Sequence, residues 1–291
     1  MLRLRSVLVG GAFAGALVVG ASGCALAPVP GSAPLRYRDE VFAAVDTTPN
    51  LVYGAAVDQL GNPTTLRLDV YEPADDDETT RPAIVFVHGG SFRSGSRTSP
   101  EIVDQANYFA RRGYVVASIS YRLAPNGCTS VSAECVEAII DAREDAQAAV
   151  RYLRANAAAL RVDTNRIAIG GTSAGAITAI GVAYGADLPG DSGNPGYSAA
   201  VRGAQSISGA AVFNGYIDST DAPVLMFHGT ADALVPHAWA TSTLTTARAA
   251  GLQAYLVTWE GDGHVPYVAH RAEILSLSNT FFYNVLDAGN A

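Results

Sequence analysis

The stretch Arg166-Ile167-Ala168-Ile169-Gly170-Gly171-Thr172-Ser173-Ala174-Gly175 decides the fold. A short apolar run suited to a buried strand leads into Gly-Thr-Ser-Ala-Gly at 171–175, and a helix-forming stretch, 174–184, follows. This G-x-S-x-G pattern between strand and helix puts Ser173 on a tight bend. Only small neighbours tolerate the strained backbone that such a bend needs. The bend lifts the hydroxyl out of the sheet, and the helix N-terminus behind it favours developing negative charge. A serine held in this way is a candidate nucleophile.

The rest of the chain alternates around that stretch. Apolar runs at 83–87, 115–121, 166–170, 204–208, 224–227 and 254–259 are bounded by turn residues, as strands buried on both faces of a parallel sheet are. Segments 51–57 and 65–71, joined at Gly61-Asn62-Pro63, read as an N-terminal β-hairpin. Helices are expected at 101–112, 134–160, 174–184, 237–250 and 265–286. The pattern predicts an α/β fold: a mostly parallel sheet with helices on both faces, in a single catalytic domain over 36–291. The connections 185–200 and 209–223 are too short or too rich in Gly, Pro and Asp to hold a cap domain.

Composition narrows the partners. The 291 residues carry a formal charge of −8, and every basic residue is arginine. Net acidity, with no basic stripe, argues against nucleic acid as a partner. The acidic run Asp75-Asp76-Asp77-Glu78 reads as a solvated loop. Arg3 and Arg5 precede the apolar stretch 7–20, which is short for a membrane span and reads as a secretory signal. Ala21-Ser22-Gly23-Cys24 resembles a bacterial lipobox, which implies a lipidated Cys24 as mature N-terminus and membrane contact through that lipid alone. The alternative is an ordinary secreted protein cut near Ala25 or Ala27. Residues 25–35, with Pro28, Pro30 and Pro34, read as a flexible tether. Setting Cys24 aside leaves Cys128 and Cys135, an even pair that in an exported protein points to one disulfide, with two free thiols as the alternative.

A serine needs a base to take its proton and a group to orient that base. Asp232, in His228-Gly229-Thr230-Ala231-Asp232, follows the strand 224–227. His264, in Gly261-Asp262-Gly263-His264, follows the strand 254–259. The C-terminal ends of parallel strands gather on one sheet edge, so Ser173, Asp232 and His264 are expected to converge there. After the strand 83–87 comes His88-Gly89-Gly90-Ser91-Phe92, whose glycines allow backbone amides to approach a substrate carbonyl. Other polar residues have plainer readings. Asp262 is expected to cap its loop or face water, His88 to brace its turn, and His228, His237 and His270 to be core or surface residues. Glu144 and Asp145 lie beside Arg151 and Arg154 and read as helix-face pairs. Tyr121 and Arg122 read as braces of the sheet edge.

These motifs, together with Tyr121-Arg122-Leu123-Ala124-Pro125, resemble the bacterial carboxylesterase branch of the α/β-hydrolases related to hormone-sensitive lipase, from about residue 66 to the C-terminus. The resemblance implies the α/β-hydrolase fold, with Ser173 as nucleophile, His264 as base and Asp232 as its partner. It implies an oxyanion hole from Gly89, Gly90, Ser91 and Ala174, with Ser91 standing where the family's third glycine usually is. It implies no metal and no organic cofactor. The expected activity is hydrolysis of a carboxylic ester through an acyl-enzyme, on short acyl groups borne by a small molecule or a polymer. An exported peptidase of the same fold, an acetyl- or feruloyl-type polysaccharide esterase and a hydrolase-fold binding protein are the rival readings.

Overall fold

A computed structural model describes residues 26–29, 31–128, 130, 132–212 and 214–290, so Cys24 and the signal segment lie outside the described residues. The strands are β1 (Val45–Val57), β2 (Pro63–Pro73), β3 (Arg81–Val87), β4 (Val115–Ile119), β5 (Val162–Thr172), β6 (Ala204–Ile207), β7 (Val224–Gly229) and β8 (Ala254–Trp259). They form one sheet in the order β1-β2-β4-β3-β5-β6-β7-β8. The hairpin β1–β2 and the β2–β4 pair are antiparallel, and all pairs from β4 to β8 are parallel.

The strand pleat assigns two cores. On β3, Val85 and Val87 face one core while Ile84 and Phe86 face the other. The first core is covered by α2 (Ala133–Ala155), α4 (Ala174–Tyr184) and α5 (His237–Ala249), through residues such as Ala146, Ile180 and Ala240. The second is covered by α1 (Pro100–Ala110) and α6 (Tyr267–Val285). There Phe109 meets Phe282 edge-on at 5.3 Å and Phe86 at 5.8 Å, and truncating such a ring costs about 3–5 kcal/mol.

Several elements depart from expectation. β1 begins at Val45 and tolerates Pro49 and two register shifts because it is an edge strand. The long second helix breaks at Asn156, leaving the short α3 (Ala157–Leu160), and Arg161 takes a left-handed φ of 52° before β5. The last helix starts at Tyr267 because Val265 sits at φ 52° and Pro266 follows it. Residues 26–35 are not a free tether in their described part. Leu26, Val29 and Leu35 pack against the second core, and Asn284 Nδ2 donates to the Ala27 carbonyl at 2.8 Å. Nor is the acidic run wholly solvated. The Asp76 side chain is 2% exposed, held by Arg36 at 2.7 Å and Arg81 at 3.3 Å.

Candidate functional site

Ser173 joins β5 to α4 at φ 54°, ψ −116°. The flanking glycines are required by close approach. A Cβ on Gly175 would stand 2.0 Å from the Val87 carbonyl oxygen, and one on Gly171 2.3 Å from that of Gly175. Small residues thus let the first turn of α4 press against β3, while the Ser173 N–H donates to Ile207 of β6 at 2.8 Å. The strained residue is locked from both sides.

Ser173 Oγ lies 2.7 Å from His264 Nε2, and His264 Nδ1 lies 2.8 Å from Asp232 Oδ2. The three side chains expected at the sheet edge are brought together there. The Asp232 carboxylate is fully buried, whereas the His264 side chain is 18% exposed, which leaves its ring accessible from solvent. Asp232 Oδ1 accepts the N–H groups of Leu234 and Val235, each at 2.9 Å. The fixed proton partners leave His264 Nδ1–H to point at the acid and Nε2 to face the serine.

The two loops that carry acid and base are tied together. Thr230 N–H donates to the Trp259 carbonyl at 2.9 Å, Ala231 N–H to that of Asp262 at 2.9 Å, and Gly261 N–H to Thr230 Oγ1 at 2.8 Å. Ser208, just past β6, accepts the Val265 N–H at 3.0 Å. A β-branched residue at positive φ costs about 1–3 kcal/mol, so this bond helps hold His264 in register. Ser208 and Thr230 escape sequence reasoning; their only signal is a position at or just past a strand end.

His228 also reaches the acid. It stands next to last in β7 with no exposed surface, and its Nε2 lies 3.2 Å from Asp232 Oδ2 and 2.8 Å from the Val235 carbonyl. A carbonyl partner requires the proton on Nε2, and burial lowers the proton affinity of the ring. His228 is therefore a neutral ring that donates its one N–H to the Val235 carbonyl, with the Asp232 oxygen that serves His264 standing 3.2 Å from the same nitrogen.

The turn after β3 abuts the serine. A Cβ on Gly89 would lie 3.2 Å from Ser173 Cβ. Gly90, Ser91 and Phe92 follow at φ 115°, 54° and 58°. Their carbonyls accept loop amides: Gly90 from Arg93 at 3.0 Å, Ser91 from Cys128 at 2.8 Å, Phe92 from Ala124 at 2.8 Å. Among the described residues, no turn or loop carbonyl takes the N–H of Gly90, Ser91 or Ala174. Cys128 and Cys135 form a disulfide that closes the loop from which the Ser91 partner comes.

The remaining candidates have structural partners. His88 is buried, stacks on Tyr121 at 4.3 Å and places Nδ1 2.7 Å from the Gly89 carbonyl; burial lowers its pKa to about 4. Tyr121 returns a hydrogen bond to the His88 carbonyl at 3.1 Å. Asp262 pairs with His270, which stacks on Trp259 at 4.0 Å, so this acid does not orient His264. His237 Nε2 lies 3.1 Å from Thr258 Oγ1. The helix-face pairs do not form. Asp145 is buried against Arg122 at 2.9 Å, Glu144 also turns to Arg122, Arg151 binds Asp187, and Arg154 holds backbone carbonyls. The long range of these partners overrides helix spacing.

The BD-FAE family model matches residues 68–199, and the TAP-like protein model matches residues 204–284. The chain is 31% identical over 148 residues to isoprenylcysteine alpha-carbonyl methylesterase ICME of Arabidopsis thaliana, covering 51% of this chain and 30% of that protein. It is 31% identical over 159 residues to neuroligin-like protein glit-1 of Caenorhabditis elegans, covering 53% and 20%. The matched stretch thus spans less than a third of either relative. Among solved structures, the butyrate-bound esterase Est2 of Thermogutta terrifontis is similar at a TM-score of 0.69 and 25% identity, over 79% of this chain and 93% of that one. The same esterase phosphoramylated by tabun gives 0.70 and 26%, over 86% and 98%.

Proposed function

We propose, from the premise that this chain has the α/β-hydrolase fold, that it is a serine carboxylic-ester hydrolase. The observation that carries the reading is the continuous hydrogen-bonded series Ser173–His264–Asp232. His264 takes the Ser173 proton as Oγ attacks the ester carbonyl. The tetrahedral oxyanion is met by the unengaged amides of Gly90, Ser91 and Ala174, with Gly89 shaping the approach. His264 then gives its proton to the departing alcohol. Water enters, loses a proton to His264, and frees the acid and Ser173. Asp232 stabilises the imidazolium at both stages and keeps its own charge.

Short acyl groups are the favoured substrates. The similar esterase Est2 is described with butyrate and with propionate bound. In this chain, the connections 186–203 and 208–223 contain, among their described residues, only the 3₁₀ turn Asn214–Tyr216. Nothing helical there builds a long acyl tunnel. The alcohol side remains open to a small or polymer-borne group.

Export with a lipid on Cys24 is part of the same proposal and rests on the signal sequence. The resemblance to a neuroligin-like protein favours a second reading, a hydrolase fold used for binding.

The deciding experiment is labelling with a fluorophosphonate. Modification at Ser173, lost in Ser173→Ala together with at least about 10⁴-fold of kcat on a butyrate ester, supports the esterase. A folded protein that resists labelling favours the binding reading, and faster turnover of long acyl esters overturns the short-acyl assignment. Amide turnover matching that of esters identifies a peptidase.

A further inference from the structure

Leu26 and Ala27 lie at the end of the sheet that the chemistry does not use. Ser173, Asp232 and His264 follow the C-terminal ends of β5, β7 and β8. Leu26 and Ala27 instead line a groove with Val201 and Arg202, with Asp221–Pro223, and with Gly251–Gln253. Those segments immediately precede β6, β7 and β8, so the groove lies at the strands' N-terminal edge. A six-residue strand such as β7 places the two edges about 20 Å apart. The contact is specific: Leu26 and Val29 pack on the second core, and the Ala27 carbonyl is held by Asn284 of α6.

One residue, Ala25, separates Leu26 from Cys24. Two Cα steps reach at most about 7.6 Å, so a lipid on Cys24 has little freedom to swing around the domain. The charge of this edge suits the same partner. Arg154, Arg202 and Arg248 give their hydrogen bonds to the carbonyls of Ser198 and Ala200, of Val285, and of Ala254, respectively, and not to carboxylates. Asp221 also lines the groove, and Asp187, which faces Arg154, is itself paired with Arg151, so arginines supply the larger share of the charge among these residues although the chain as a whole is acidic. Asp163, nearby, is paired with Arg166.

We propose that the edge formed by Leu26, Arg202, Gln253 and their neighbours faces an anionic bilayer, and that the Ser173 edge points away from it. The inference rests on the lipid-anchor reading given above. Its consequence is that the enzyme serves esters arriving from the aqueous side, not lipids of its own membrane.

The test uses the full chain, processed and purified from a bacterial host, in vesicles of phosphatidylcholine and phosphatidylglycerol that contain a headgroup acceptor dye. A genetically encoded fluorescent amino acid is placed at Gln253 or at Val268, which follows the His264 loop and is 89% exposed. Energy transfer is expected to be several-fold stronger from position 253 than from 268. The same N-terminal peptide is weighed by mass spectrometry. An acylated peptide with equal or reversed transfer overturns the orientation while leaving the anchor intact. A peptide without acyl mass overturns the anchor, and the membrane-facing edge falls with it.

Discussion

A Cβ built on Gly229 would stand 2.3 Å from the carbonyl oxygen of Asp262, so the loop bearing Asp232 and the loop bearing His264 meet with no space for a side chain between them. The Ala231 N–H closes the same contact at 2.9 Å. Gly229→Ala must push the loops apart. Displacement of catalytic groups by about 1 Å costs on the order of 10²-fold in rate. We expect that loss in kcat/KM, with a loss of stability of about 1–3 kcal/mol. Steady-state kinetics beside urea denaturation checks it. A variant that loses stability but keeps its rate would mean that the loops reposition acid and base without this contact.

His228 Nε2 donates to the Val235 carbonyl at 2.8 Å, and the Val235 N–H in turn holds Asp232 Oδ1 at 2.9 Å. His228→Leu leaves that buried carbonyl without its donor, at a cost of about 1–3 kcal/mol in stability, and loosens the turn that holds Asp232, so kcat/KM should fall as well. His228→Gln, whose Nε2–H can reach the same carbonyl, should keep most of both. Urea melts beside steady-state kinetics measure it; a leucine variant that loses stability at full kcat/KM, or a glutamine variant no better than leucine, contradicts the assignment.

Much of this was legible in the residues. Strands β3, β4 and β7 are nearly continuous apolar runs, and β5 and β8 carry apolar stretches before Ser173 and His264 as β7 does before Asp232, so parallel pairing alone brings the three to one edge. The partners of buried charge were not legible. Arg36 folds onto Asp76 from 40 residues away and Arg122 onto Asp145 from 23, and neither distance leaves a periodic trace. A helix offers Asp145 nearby arginines, but the sheet edge delivers one that is itself desolvated and satisfies more of its hydrogen bonds. The prolines of 25–35 suggested a tether because composition registers stiffness and polarity. It does not register that Leu26, Val29 and Leu35 meet one apolar face.

His88 links pH to stability. Burial holds its pKa near about 4, against an ordinary value of 6.5. The unfolded chain therefore binds a proton more readily. His88 contributes fully to stability above about 6.5, and the contribution declines as pH falls from there to about 4. The shift corresponds to about 3 kcal/mol. His88→Asn, whose Nδ2–H can still reach the Gly89 carbonyl, should flatten the pH dependence of unfolding free energy across that window. Urea melts at pH 4.5 and pH 7 measure it; an undiminished slope would assign the dependence to other groups.

The disulfide acts on chemistry through one hydrogen bond. Cys128 N–H donates to the Ser91 carbonyl at 2.8 Å, and Ser91 supplies one of the unengaged amides beside Ser173. The Cys128–Cys135 bond closes a loop of sequence separation seven, which stabilises by about 2.5 kcal/mol through the unfolded chain. Replacing both cysteines by serine should cost about that much stability and also loosen residue 128. The Ser91 peptide then loses its brace without losing its N–H. An oxyanion donor acts mainly in the transition state, so kcat should fall while KM barely changes. The expected fall is about tenfold, short of the 10²–10³ that follows outright loss of a donor. Unchanged kcat in the doubly substituted protein, with the stability loss present, would confine the disulfide to folding. A fall confined to KM would place the loop at the substrate's ground state and not at the developing oxyanion.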